Sequence, residues 1–259
     1  MQFRRILILM LGLALGLDLF LFSVWRTGVT SREMDNDPNA SAVAAIEKQG
    51  IKLESLSTKT RRINYVAAQS DSSFSATTNK LNLDDQSIKG SALLGTVNLD
   101  KNTGNEAVPA YARALAKKLG YQENTLMTKF YKGNEPEATY VFGQMVDGLP
   151  VVAKEGQLQL SYNRSNHSFD FSQHHLTAIK TLHDSREIIS EEAAIVALYR
   201  YNQLNKGEHL SSGTLAYDTE DTLNGYQIYQ PAWVFLKTDK AGNKTFLKIN
   251  AFMGKQTID

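Results

Sequence analysis

The opening of the chain constrains it most. Residues 6–24 read ILILMLGLALGLDLFLFSV, 19 positions with one charged side chain, Asp18. At ~1.5 Å rise per residue, a helix of that length nearly spans the ~30 Å hydrocarbon core of a bilayer. Arg4 and Arg5 precede the run, and Trp25 and Arg26 follow it where interfacial anchors sit. The positive-inside rule then predicts a cytoplasmic end at 1–5, a membrane helix at 6–25 and everything beyond outside the cell. Arg26 and Arg32 on the far side weaken that bias, and Glu33, Asp35 and Asp37 offset them in part. The alternative is a cleaved signal peptide. The run is long for one, and Ser23-Val24-Trp25 lacks the small-x-small cleavage pattern.

The run is also patterned. Gly12 and Gly16 lie four apart and make a Gly-x-x-x-Gly face suited to close helix approach. Ala14 and Asp18 lie four apart as well, about 200° around the helix from the glycines at ~100° per residue. A plain tether has no use for Asp18, whose burial near the bilayer centre costs roughly 2.5–3.5 kcal/mol. The bland reading is a hydrated acid near the outer interface. The functional reading makes Gly12, Ala14, Gly16, Asp18 and Phe22 the contacts of this helix with partner helices.

The remaining ~230 residues suffice for one large domain or two smaller ones. The chain holds 28 Lys and Arg against 27 Asp and Glu, a net charge of +1, so it projects no field that favours nucleic acid or a strongly acidic ligand. It has no cysteine, which removes disulfides, thiolate metal sites and cysteine nucleophiles. An exported protein without cysteine suits a Gram-positive cell surface.

Residues 26–40 read as a polar linker around Asn36-Asp37-Pro38-Asn39. Residues 41–105 are the least legible part: a short helix at 42–49 stopped by Gly50, strands at 53–57, 61–67 and 91–99, and a Ser/Thr-rich loop at 70–79. From residue 106 the pattern sharpens. A helix is predicted over 107–119, with Pro109 in its first turn, Lys117 and Lys118 at its C-terminal end and Gly120 as its stop. Strands are predicted at 127–131, 138–146, 151–162 and 169–179, with a turn at Asp147-Gly148. A second helix starts at the N-cap Ser190 with Glu191 and Glu192 in its first turn and runs to about Gln203. Strands follow at 213–217, 226–236 and 245–252. The order helix-then-antiparallel-strands thus occurs twice, at 106–183 and 184–259, and predicts an α+β fold of two related units. Tyr140-Val-Phe-Gly-Gln-Met compares in place with Tyr226-Gln-Ile-Tyr-Gln-Pro, and Leu158-Gln-Leu-Ser-Tyr with Leu247-Lys-Ile-Asn-Ala, at a period of roughly 85 residues and with slight identity, so the repeat is one of topology.

Catalytic frames are missing. His174-His175 is the one histidine pair, and adjacent strand residues face opposite ways, so it is not expected to chelate one ion. No Gly-x-Ser-x-Gly, Ser-x-x-Lys set, Walker A loop or Gly-x-Gly-x-x-Gly occurs. Asp84-Asp85, Glu191-Glu192 and the acids at 218, 220 and 221 read as turns and helix starts. The chain is therefore expected to be no enzyme and to need no cofactor or metal. Tyr226, Tyr229, Trp233 and Phe235 crowd one strand that also holds Pro231. Proline argues for an edge or a bulge there, and an edge with exposed aromatics takes up peptides; the competing reading is that these rings fill the core.

The combination has a resemblance. Phe3-Arg4-Arg5-Ile6 leading to Asp18-Leu19-Phe20-Leu21-Phe22 is similar to the N-terminus of the YycI (WalI) family. The stretch from Ile188 through Ser190-Glu191-Glu192 to Tyr199, then Asn202 to Gly207, Ala216-Tyr217 and Pro231-Ala232-Trp233, resembles that family's C-terminal part, and Gly148-Leu149-Pro150-Val151 fits too. Residues 27–105 match only in layout, and the Ser/Thr-rich stretch at 70–78 departs from it. The resemblance implies a membrane-anchored regulator of low-GC Gram-positive bacteria with PepSY-like units outside the membrane. It implies work with a YycH (WalH) companion and contact through membrane helices with the sensor histidine kinase YycG (WalK), which controls cell-wall metabolism genes. The alternative from the residues is an extracytoplasmic binding module for wall fragments or peptides, with the helix only as a tether.

Overall fold

The computed structural model describes residues 16–18, 21, 38–54, 56–123, 126–127, 139–182 and 185–254. The chain divides at Ile46 into two units. Of the first, Gly16, Leu17, Asp18 and Leu21 are helical and exposed. The rest of the expected membrane helix lies outside the described residues, among which no helix is long and apolar enough to cross a membrane.

Helix α1 (Pro38–Lys48) runs through the division, and Gly50, at φ 84, turns the chain after it. The folded body then adds short strands β1 (Lys52–Leu53) and β2 (Arg62–Ile63), strand β3 (Val66–Ser70), a one-turn helix α2 (Ser75–Thr78), and the hairpin β4 (Asp84–Lys89) and β5 (Ala92–Asn98). Helix α3 (Val108–Leu119) leads into β6 (Tyr121–Glu123), β7 (Thr139–Val146), β8 (Leu149–Pro150), β9 (Gln157–Asn163), β10 (Ser168–Gln173), β11 (Leu176–Thr181) and β12 (Arg186–Glu187). Helix α4 (Glu191–Arg200) leads into β13 (His209–Leu210), β14 (Thr214–Leu223), β15 (Tyr226–Thr238) and β16 (Lys244–Asn250). The fold is mixed α+β.

The strands make two sheets of seven and a small ribbon, β2 with β12. In the sheet that carries α3, the order is β4-β5-β10-β9-β7-β6, with β8 on β7. Its apolar positions meet Val108, Ala112, Leu115, Ala116 and Leu119 of α3, and Phe74 closes the same core. The α3 sequence dictates this. Its alanines and leucines recur at helical spacing, Pro109 sits in the first turn where its missing N–H costs nothing, and Gly120 takes the left-handed C-terminal position at φ 88.

The other sheet is organised by β15. One side of β15 pairs with β14 and then β13, which β1 extends; the other pairs with β3, backed by β11, and then with β16. Pro231 therefore lies in a central strand, against the expectation of an edge. Its carbonyl accepts from Ala251 N–H at 2.9 Å, so its ring nitrogen faces the place where β3 begins and β16 ends, and no ladder bond is lost to β14. The ring-bearing strand is core: Tyr229, Trp233 and Phe235 are buried, and the Trp233 indole donates to the Ile189 carbonyl at 2.9 Å.

Other departures have equally local causes. The loop expected over 70–79 contains α2, because the Asp71 carboxylate accepts from Ser73 and Phe74 N–H and turns the chain. Met127, expected to begin a strand, is helical, and 128–131 lie outside the described residues. The strand expected over 169–179 is two strands in different sheets, with His174-His175 at the crossing. Residues 41–105 supply strands to both sheets. Helix α4 ends at Arg200, short of Gln203.

The two sheets are joined edge to edge. The Asp147-Gly148 turn, at φ 46 and 76, is the tight two-residue kind that two left-handed residues allow. It returns the chain so that Val151 bridges Tyr217 of β14 and Val152 N–H donates to the Tyr217 carbonyl at 2.9 Å. Beside the join, Leu126, Met127, Val141 and Val152 pack with Ala216, Val234 and Leu236 in a core drawn from both sheets. Two helix-then-strands runs are present, and the matched segments fall on corresponding pairs: Tyr140 and Leu158 on neighbours β7 and β9, Tyr226 and Leu247 on neighbours β15 and β16.

Candidate functional site

Of the five residues read as partner contacts, Gly12, Ala14 and Phe22 lie outside the described residues. Gly16 and Asp18 are helical and exposed. A Cβ added at Gly16 would meet nothing within 4 Å, so that position has room for another backbone to approach. Leu17 and Leu21, one helical turn apart, are both more than half exposed.

Within the body, the acids read as helix starts do more than cap. Ser190 is the N-cap, its hydroxyl accepting from Ala193 N–H at 3.1 Å. Glu191 is buried, and its carboxylate accepts from Ser57 N–H at 3.0 Å and from Gly213 N–H at 2.6 Å. It ties the segment after β1, the start of α4 and the entry to β14 into one clamp. Glu54 repeats the device, accepting from Ser212 N–H at 2.9 Å. Asp218, in β14, lies 3.3 Å from Lys248. Asp84 is in the exposed edge strand β4 beside a bulge at Asp85, whose φ is 52. These acids are structural partners.

The histidines are separate. His167 meets the Tyr162 hydroxyl and the Asp100 carbonyl, both at 3.0 Å. His209 is 3.9 Å from Glu54, and His183 lies outside the described residues. Among the described residues no three metal-ligating side chains gather.

His174 and His175 occupy the crossing between the sheets rather than a strand. Asp71 N–H donates to the His175 carbonyl at 2.7 Å, so the two chain crossings run side by side. The Tyr121 hydroxyl donates to the His174 carbonyl at 2.6 Å, and Gln173 donates to that hydroxyl at 3.1 Å. Burial lowers the His175 pKa from its ordinary 6.5, against the Asp71 carboxylate, 3.6 Å from Nδ1, which raises it. Burial likewise lowers that of His174, with Lys154 adding to it. For Asp71, burial works upward, but hydrogen bonds from Ser73 and Phe74 outweigh it and hold the carboxyl below 3.8.

A pH dependence follows. The folded histidines bind protons less readily than the unfolded chain, so their contribution is intact above about pH 6.5 and is lost as pH falls through the lowered folded values. Asp71 adds a loss only below about pH 4. The melting temperature is expected to drop between pH 7 and pH 5, and to drop less in His175→Asn. Melts that are flat over that interval would refute it.

A polar cleft lies on the join between the sheets. Arg61, Arg62, Ile63, Asn64, Asp147, Leu149 and Tyr217 line about 200 Å³. The Tyr217 hydroxyl donates to the Asn64 carbonyl at 3.0 Å. Burial, and then Asp147, push its pKa up to about 12, with Arg61 opposing, so it is a neutral hydrogen-bonding group at any physiological pH. The sequence pointed to Gly148-Leu149-Pro150-Val151 and Tyr217 separately; nothing in it brings them together with Arg61.

Comparison with known proteins places the chain. The chain aligns with the crystal structure of an uncharacterized protein from Eubacterium rectale at a TM-score of 0.45 and 13% identity, over 81% of this chain and 90% of that one. No curated protein matches it. The model of the YycI protein family matches residues 31–252, most of the length, and the chain therefore belongs to the YycI family.

Proposed function

We propose that this protein is a non-enzymatic accessory regulator of a YycG-type sensor histidine kinase that controls cell-wall metabolism. Family membership over residues 31–252 carries the reading, since the family is one of regulatory accessory proteins of the YycG kinase system. In this proposal residues 1–5 are cytoplasmic, 6–25 cross the membrane, the stretch from 26 to the start of α1 at Pro38 links, and the rest of the chain lies outside the cell as PepSY-like units. The membrane helix sits between two partners. Asp18 meets a polar group on one partner helix while Gly12 and Gly16 pack against another, one being the kinase and the other a YycH-like companion. The exposed, helical Asp18 and the open space beside Gly16 leave both positions accessible to partners.

The test is crosslinking or two-hybrid association in membranes. Asp18→Leu is expected to insert normally and to weaken one association several-fold, the scale of an interhelical hydrogen bond of about 1 kcal/mol. Gly12→Leu or Gly16→Leu is expected to weaken the other. If every partner stays bound in all three variants, the helix is a tether and the reading fails.

A further inference from the structure

The cleft on the join between the sheets carries opposite charges that do not meet. Asp147 is presented by the tight β7–β8 turn, with one carboxylate oxygen held by the Thr181 hydroxyl at 2.9 Å. Arg61 projects from the chain entering β2, and its backbone carbonyl, not its side chain, accepts from Ile188 N–H at 3.0 Å. Both charges act on the Tyr217 hydroxyl between them, yet among the described residues they form no ion pair with each other. The neighbouring Arg62 is spent elsewhere: its guanidinium donates to the carbonyl and hydroxyl of Ser185. Arg61, on the chain entering β2, and Asp147, on the turn before β8, reach the cleft from different substructures.

We propose that this cleft binds a small zwitterion, an amino acid or short peptide with both ends free, its carboxylate on Arg61 and its ammonium on Asp147. The guanidinium fork suits a carboxylate, and a carboxylate with one oxygen unused accepts an ammonium. The Tyr217 hydroxyl oxygen retains lone pairs to accept from the ligand's N–H groups. About 200 Å³ is small beside the ~300–1,000 Å³ of drug-sized sites, which limits the occupant to one or two residues. Tyr217 belongs to β14 of one sheet and Asp147 to the β7–β8 turn of the other, so an occupant touching both bridges the sheets where they join.

The probe is glycylglycine, titrated by calorimetry into the full-length protein in lipid nanodiscs, alongside its N-acetyl and C-amide forms. Glycylglycine is expected to bind saturably, and each blocked form about tenfold more weakly or worse, the scale of a lost charge-assisted hydrogen bond. Arg61→Gln and Asp147→Asn are each expected to lose about tenfold with unchanged melting temperature; asparagine tolerates the left-handed turn position. Absence of saturable binding, equal binding of the blocked forms, or parental affinity in both variants overturns the proposal. No kinase is present in the assay, so its failure leaves the helix-mediated reading untouched.

Discussion

Gly143→Ala is expected to destabilise the protein by about 3 kcal/mol, at the upper end of what one overpacked methyl does. Gly143 lies in β7, opposite Gln157 of β9 on one side and Gln122 of β6 on the other. A Cβ there would stand 2.7 Å from the Val151 carbonyl oxygen, a distance real Cβ atoms do not adopt. The obstacle is backbone, and that backbone cannot easily retreat. Val151 N–H donates to the Gln144 carbonyl at 2.9 Å, and Val151 and Val152 make the join to Tyr217. Gly148 is the control. It has φ 76 but nothing within 4 Å of an added Cβ, so Gly148→Ala meets only the backbone penalty of about 1 kcal/mol. Urea unfolding of the two variants separates steric from conformational cost. Equal losses would show that the Val151 segment moves aside freely.

Glu191→Ala is expected to cost about 3–4 kcal/mol, because two backbone N–H groups lose a charged acceptor at once. Those donors, on Ser57 and Gly213, come from segments far apart in sequence, and a buried unpaired N–H costs about 1–3 kcal/mol. Glu191→Gln keeps one acceptor and is expected to lose roughly half as much. Glu191 also sits in the first turn of α4, where a negative charge favours the helix dipole by less than 1 kcal/mol when exposed. A loss no larger than that in Glu191→Ala would reduce the residue to its dipole role and dissolve the clamp.

Glu191 marks where sequence reading stops. Its place after Ser190 identifies a helix start correctly, since capping is a local matter of three or four consecutive residues. Nothing nearby tells that its carboxylate reaches Ser57. His174-His175 is similar. The stretch 169–179 has no glycine or proline to break it, so it reads as one strand; that it changes sheets midway depends on β3 and β5 being available as separate partners. Pro231 argues for an edge on local grounds. A central strand accommodates it only because two different partners meet opposite its ring.

The sequence by itself determined what rests on short-range periodicity and on combinations of motifs. These are the apolar run at 6–24, helix α3 with its glycine stop, the capped start of α4, the Asp147-Gly148 turn, the mixed α+β class and, by resemblance, the family. All but the family follow from the spacing of apolar side chains or from the backbone freedom of a few neighbours. Tertiary structure alone decided which sheet each strand of 41–105 joins, the edge-to-edge join at Val151 and Tyr217, and the meeting of Arg61, Asp147 and Tyr217 in one cleft. Those arrangements depend on hydrogen bonds between residues tens to hundreds of positions apart. Many pairings satisfy the same local pattern, and only the packing of the whole body selects among them.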